Sequence, residues 1–139
     1  MEANKETTVA DVMMKAPVTL DAGDILDLAS DIMNLGRIRH IPILENGKLV
    51  GVLSQRNLFH SALVVALGLG PKARKDMLKS IHIREVMSAP VITVSPETGI
   101  KQAARTMLEK KIGCLPVVEN QRLVGLVTES DILRYVAHL

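Results

Sequence analysis

The sequence predicts a mixed α/β (α+β) fold made of two tandem copies of one β-α-β-β-α unit. Three observations point there. The chain matches itself at one fixed offset, stretches of helical period alternate with short apolar runs, and in each copy two such runs flank a hairpin turn. The 139 residues suffice for one ordinary domain or two very small ones. They are too few for a (β/α)₈ barrel, which needs about 250. With 47% apolar and 23% charged residues the chain can bury a core, and disorder is not expected.

At an offset of 74, residues 9–63 align without a gap on 83–137. Val12-Met13 falls on Val86-Met87, Thr19 on Thr93, Ala29 on Ala103 and Met33 on Met107. Ile38 meets Ile112, Pro42 meets Pro116, and Leu49-Val50-Gly51 meets Leu123-Val124-Gly125. The expected organisation is a polar tail over 1–8, repeat 1 over 9–63, a helical and basic connector over 64–82, and repeat 2 over 83–139.

Each repeat opens with a short helical turn, at Val9 to Met13 and Ile83 to Met87, followed by an extended stretch at Val18 to Leu20 or Val91 to Val94. A helix comes next, its apolar face formed by Leu26, Ala29, Ile32 and Met33, or by Ile100, Ala103, Met107 and Leu108. Asp21 is the expected N-cap in repeat 1. Ser95-Pro96-Glu97 offers a cap, an N1 proline and a first-turn acid in repeat 2. Strands follow at Ile41 to Leu44 and Leu49 to Ser54, joined through Asn46-Gly47, a strong hairpin signal. Their counterparts are Leu115 to Val118 and Leu123 to Thr128. There Gln121 replaces the glycine and is expected to change the turn. A last helix starts at Gln55 or Glu129. Gly68, Gly70 and Pro71 read as a helix end, and Lys72 to Lys79 as a polar connector. Halves of about 55 residues are small for independent stability, so the apolar strand faces are expected to pack together about a pseudo-twofold axis.

Composition excludes several functions. Seventeen basic and 15 acidic residues leave +2, too little to imply nucleic acid. One Tyr, one Phe and no Trp argue against base-stacking binders. The single Cys114 rules out an internal disulfide and multi-cysteine zinc sites. It sits where a buried strand begins, with no assignable base, so it is not read as a nucleophile. His40, His60, His82 and His138 show no paired metal spacing, and no metal is expected. The seven Met mostly fill core columns. A polar start and no apolar run of about 20 residues point to a soluble, cytoplasmic protein without a membrane segment.

The repeat resembles the CBS (cystathionine-β-synthase-type) domain, and the chain resembles a CBS pair, or Bateman module. The carrying residues are Ile112-Gly113-Cys114-Leu115-Pro116, Leu123-Val124-Gly125-Leu126-Val127-Thr128 and Glu129-Ser130-Asp131. Repeat 1 has the parallel set Ile38 to Pro42, Leu49 to Ser54, and Asn57. The resemblance implies a regulatory module that binds adenosyl ligands (AMP, ADP, ATP, S-adenosylmethionine) in clefts between repeats, with flat homodimers common and no covalent cofactor. It also implies that Asp131 is the ribose-binding acid and that Arg39-His40 stands where AMP-binding members contact phosphate.

Beside those roles stand local ones. Thr128 with Asp131 forms a capping box, and a first-turn Asp can also accept two ribose hydroxyls through charge-assisted bonds. Arg39-His40 is either a charged strand entrance or a phosphate clamp. Arg56 is either a solvated helix-start side chain or a phosphate contact. The repeats have diverged in opposite directions: repeat 2 keeps the acid, repeat 1 the cations. One good nucleotide site is therefore expected from Thr19, Asp21, Ile38, Arg39, His40, Arg56, Leu126, Thr128 and Asp131. A weaker one is expected from Ser54, Asn57, Thr93, Ser95, Gly113 and Cys114. The expected partners are an adenine nucleotide as regulatory ligand, a second copy of the chain and an effector protein that reads the ligand-bound conformation in trans. Dimer contacts are expected at Leu58 to Leu69 and at Ile132, Leu133 and Val136. The rival readings are a structural dimerisation module with an empty cleft, an S-adenosylmethionine sensor, and nucleic-acid binding through Lys72, Arg74, Lys75 and Lys79. No enzyme activity is expected.

Overall fold

The computed structural model describes residues 6–58 and 70–139. In chain order its elements are α1 (Val9–Val12), β1 (Met14–Lys15), β2 (Leu20–Asp21), α2 (Leu26–Gly36), β3 (His40–Glu45), β4 (Lys48–Ser54), α3 (Pro71–Ser80), a 3₁₀ turn (Ile83–Glu85), α4 (Ile100–Lys110), β5 (Cys114–Glu119), β6 (Arg122–Thr128) and α5 (Glu129–Ala137). Residues 55–58 are also helical. The chain divides into a continuous unit, Val18–Val91, and a split unit, Met1–Pro17 with Ile92–Leu139.

The continuous unit holds a sheet of order β2-β3-β4, in which β2 runs parallel to β3 and β3 antiparallel to β4. The helical period of α2 puts Leu26, Ala29 and Met33 on one buried face, against Ile41, Ile43 and Leu53 of the sheet. The split unit has a sheet of order β1-β6-β5, antiparallel throughout, so its third strand joins the second strand of the hairpin rather than the first. Ile100, Ala103 and Met107 are buried on α4, and Leu115, Val117 and Val127 on the strands. Fully burying one such aliphatic side chain stabilises by about 1.5–3 kcal/mol. Both helices end on a left-handed residue that bonds back to a methionine carbonyl, Arg37 (φ 52°) to Met33 and Lys111 (φ 56°) to Met107. A cation there faces the negative end of the helix dipole.

Each unit takes its missing piece from the other sequence repeat. Val9, of repeat 1, is fully buried in the core of the split unit, and Ile83, of repeat 2, is fully buried in the core of the continuous unit. The backbone bonds match at the same offset of 74. Val9 N–H donates to the Thr98 carbonyl (2.8 Å) and Ile83 N–H to that of Asp24 (2.9 Å). Met14 pairs with Leu126, as Ser88 pairs with Val52. Met13 lies so close to Gly125, and Met87 to Gly51, that a Cβ on either glycine would strike the methionine sulfur. The sequence repeats and the compact units therefore do not coincide.

This exchange corrects the expected helix starts. The first N–H of α2, Leu26, donates to the Ile81 carbonyl (2.8 Å), and that of α4, Ile100, donates to the Thr7 carbonyl (3.0 Å). The residues just before each exchanged turn thus satisfy one of the helix-start donors that no carbonyl within the helix can reach. Asp21 closes a local turn instead, accepting from Gly23 N–H (2.8 Å), and Ile25 occupies the N-cap position. Ser95 likewise turns onto Thr98, and Gly99 precedes α4.

Two further expectations are corrected. Gln121 (φ 65°) follows Asn120 (φ 51°) just as Gly47 (φ 77°) follows Asn46 (φ 53°), so both hairpins make the same doubly left-handed turn. The strand register on either side holds Gln121 there despite its side chain. Gly70-Pro71 begins a helix rather than ending one: Gly70 is the N-cap and Pro71 the N1 residue of α3. Leu78 anchors α3 in the continuous core, so the connector is not merely a solvated face. Gly68 lies outside the described residues.

Candidate functional site

In the split unit the β5–β6 hairpin brings Cys114 opposite Thr128, and the Gly113 carbonyl accepts from Glu129 N–H (3.0 Å) at the start of α5. Thr128 is the N-cap, its backbone extended (φ −119°, ψ 168°). Asp131 turns one oxygen back on it: Oδ2 accepts from Thr128 N–H (2.9 Å) and from Thr128 Oγ1 (3.1 Å). The other oxygen, Oδ1, accepts from Arg134 Nη1 (3.1 Å). The Asp131 side chain is only 13% exposed, while that of Arg134 is 65% exposed. Asp131 also borders a hollow of ≈ 340 Å³ lined by Asp11, Val12, Arg134, Tyr135 and His138. The Tyr135 hydroxyl donates to Thr7 Oγ1 (3.0 Å).

The continuous unit builds the same corner from different residues. The Arg39 carbonyl accepts from Gln55 N–H (2.7 Å), and His40 pairs with Ser54. Asn57 Oδ1 accepts from Ser54 N–H (3.0 Å), Ser54 Oγ (2.7 Å) and Ser88 Oγ (3.4 Å). Ser54 with Asn57 is thus the counterpart of Thr128 with Asp131, with a neutral amide in place of the anion. Arg39 and Arg56 are exposed, His40 is half-buried, and Thr19 lies beside β2. Ile38 packs on the core.

The expected residues divide between the units as follows. The split unit holds Leu126, Thr128 and Asp131, with Thr93, Ser95, Gly113 and Cys114. The continuous unit holds Thr19, Asp21, Ile38, Arg39, His40, Ser54, Arg56 and Asn57. Leu126 and Cys114 are buried, so each packs through its side chain. Burial and the Glu129 carboxylate push the Cys114 thiol up to about 12, which keeps it protonated and unreactive near neutrality. Of the expected dimer contacts, Leu58 and Ile132 serve the two cores, whereas Leu133 (67%) and Val136 (55%) are exposed. Residues 59–69 lie outside the described part. Sequence reasoning missed Arg134 as the partner of Asp131. The i, i+3 spacing on a helix could have revealed it.

Among the described residues, no group of three His, Cys, Asp or Glu side chains could hold a metal ion, and no helix is long and apolar enough to cross a membrane.

Comparison with known proteins follows the same division of the sequence. The model of the CBS domain family matches residues 9–63 and again 83–138. The structure resembles that of a Vibrio cholerae protein described as an acetoin utilization protein (AcuB), at TM-score 0.77 and 34% identity, over 96% of this chain and 92% of that one. It also resembles the CBS domain pair of protein MJ0100, solved with 5′-methylthioadenosine and S-adenosyl-L-methionine, at TM-score 0.80 and 30% identity, over 96% and 98%. A homoserine O-acetyltransferase of Methanohalobium evestigatum is 31% identical over 94% of this chain, which spans 24% of that enzyme's length.

Proposed function

Because the chain belongs to the CBS domain family, we propose that it is a regulatory module for an adenosyl ligand, with Asp131 as the acceptor for the ribose diol. The observation that carries this is the Asp131 carboxylate, held at the start of α5 by Thr128 and charged where its counterpart Asn57 is neutral. An ionised acceptor makes hydroxyl bonds roughly twice as strong as a neutral one. Arg39 and His40, with Arg56, are the proposed phosphate contacts, which favours AMP, ADP or ATP. Leu126, Ile38 and the backbone near Thr19 and Asp21 are the proposed surroundings of the base. Ser54, Asn57, Thr93, Ser95, Gly113 and Cys114, without a matching acid and cation, form the weaker site.

Binding acts through linkage. A ligand that prefers one conformation shifts the population toward it, and a partner protein reads the shift. No catalytic step is assigned to this chain.

A second reading, an S-adenosylmethionine sensor, is favoured by the ligands of the MJ0100 pair. Calorimetric titration with AMP, ATP, 5′-methylthioadenosine and S-adenosylmethionine separates the two. The nucleotide reading expects AMP or ATP to bind more tightly than 5′-methylthioadenosine. The reverse order supports the sensor. No binding of any of the four overturns the ligand function and leaves a structural module.

A further inference from the structure

We infer that Arg134 is a built-in competitor for the ribose-binding oxygen of Asp131 and so sets the affinity of the site; this rests on the role proposed for Asp131. A carboxylate offers about four lone-pair positions. Oδ2 already takes two bonds from Thr128, at 2.9 and 3.1 Å. The oxygen left for a diol is Oδ1, and Arg134 Nη1 lies 3.1 Å from it. With the Asp131 side chain 13% exposed, a hydroxyl reaching Oδ1 meets the guanidinium there.

The contact is well suited to competition. Arg134 is tethered three residues on, one turn along the same helix, so its charge is always near its target. It is also 65% exposed, so the pair is weak and a ligand can displace it. The site is thereby kept occupied yet displaceable, and affinity is held below what Asp131 alone would give.

The test uses 5′-methylthioadenosine, an uncharged probe of the ribose end, titrated into the full chain. R134Q is expected to bind it about two- to fivefold more tightly than the parent, the range an exposed ion pair can supply. R134K, which keeps the charge without the planar fork, is expected to fall between. Raising salt from about 50 to about 500 mM screens the pair and is expected to tighten binding to the parent but not to R134Q. R134Q binding equally or more weakly, with an unchanged melting temperature, overturns the inference, since Arg134 would then be neutral or a positioning residue. If the parent binds, D131N does not, and R134Q matches the parent, the inference alone fails. If neither the parent nor R134Q binds any adenosyl compound, the ligand function itself fails.

Discussion

Asp131 uses its two oxygens differently, and substitution can separate them. Asparagine retains an acceptor for Thr128, as Asn57 does for Ser54 at the equivalent corner. D131N is therefore expected to keep most of the cap, with a stability loss of about 1 kcal/mol or less. It loses the charge, and affinity for the adenosyl ligand is expected to fall by about tenfold or more. N57D tests the reciprocal change, restoring the acid at the weaker corner; a second calorimetric binding event is the expected outcome. D131N binding as tightly as the parent would remove Asp131 from the site.

Cys114 carries a different kind of residue-level information. Its thiol ionises near 9 in an exposed chain but is pushed up to about 12 in the fold, first by burial and then by Glu129. Between those values the unfolded chain has lost a proton that the folded chain keeps, so stability falls as pH rises. The contribution is fully present below pH 9 and is lost between 9 and about 12, at roughly 1 kcal/mol per pH unit. Denaturant unfolding across that range is expected to show the slope in the parent and a flatter one in C114A.

Among the elements, the hairpins were the most legible from sequence. Asn46-Gly47 announces its turn, and the apolar runs on either side mark the strands. Asn120-Gln121 does not announce its turn, because the register of the flanking strands rather than a propensity for positive φ sets it. Gln121 at φ 65° carries a left-handed penalty of about 1–2 kcal/mol. Q121G removes it at some entropic cost, so a gain of about 0.5–1 kcal/mol, seen as a melting temperature a few degrees higher, is expected. The helix starts are hidden for another reason. Asp21 and Ser95 have the chemistry of caps, but they close local turns ahead of Ile25 and Gly99, and the first helical N–H groups bond to the Ile81 and Thr7 carbonyls, residues distant in sequence. Only local partners are visible in a linear pattern.

On the scale of the whole chain, the duplication and the core columns could be read from the 74-residue offset. The exchange of opening segments could not. Equivalent residues in two repeats fit either unit equally well, so self-similarity gives the position of Val9 and Ile83 without giving their neighbours. Their burial in opposite cores makes a specific expectation. V9A leaves a cavity beside Leu115, Val117 and Val127 and is expected to cost about 1–3 kcal/mol. Hydrogen exchange is expected to lose protection first in β5 and β6 of repeat 2, although the substitution is in repeat 1. I83A is expected to do the converse in β3 and β4. Protection lost in the mutated residue's own repeat would overturn the exchange.

The exchange also bears on ancestry. A single-copy forebear of this chain would have carried an empty socket at one end and an idle plug at the other. Two such molecules trading plugs would have closed both sockets at once. The covalent link between the repeats thus tethers an obligate couple rather than joining two self-sufficient folds.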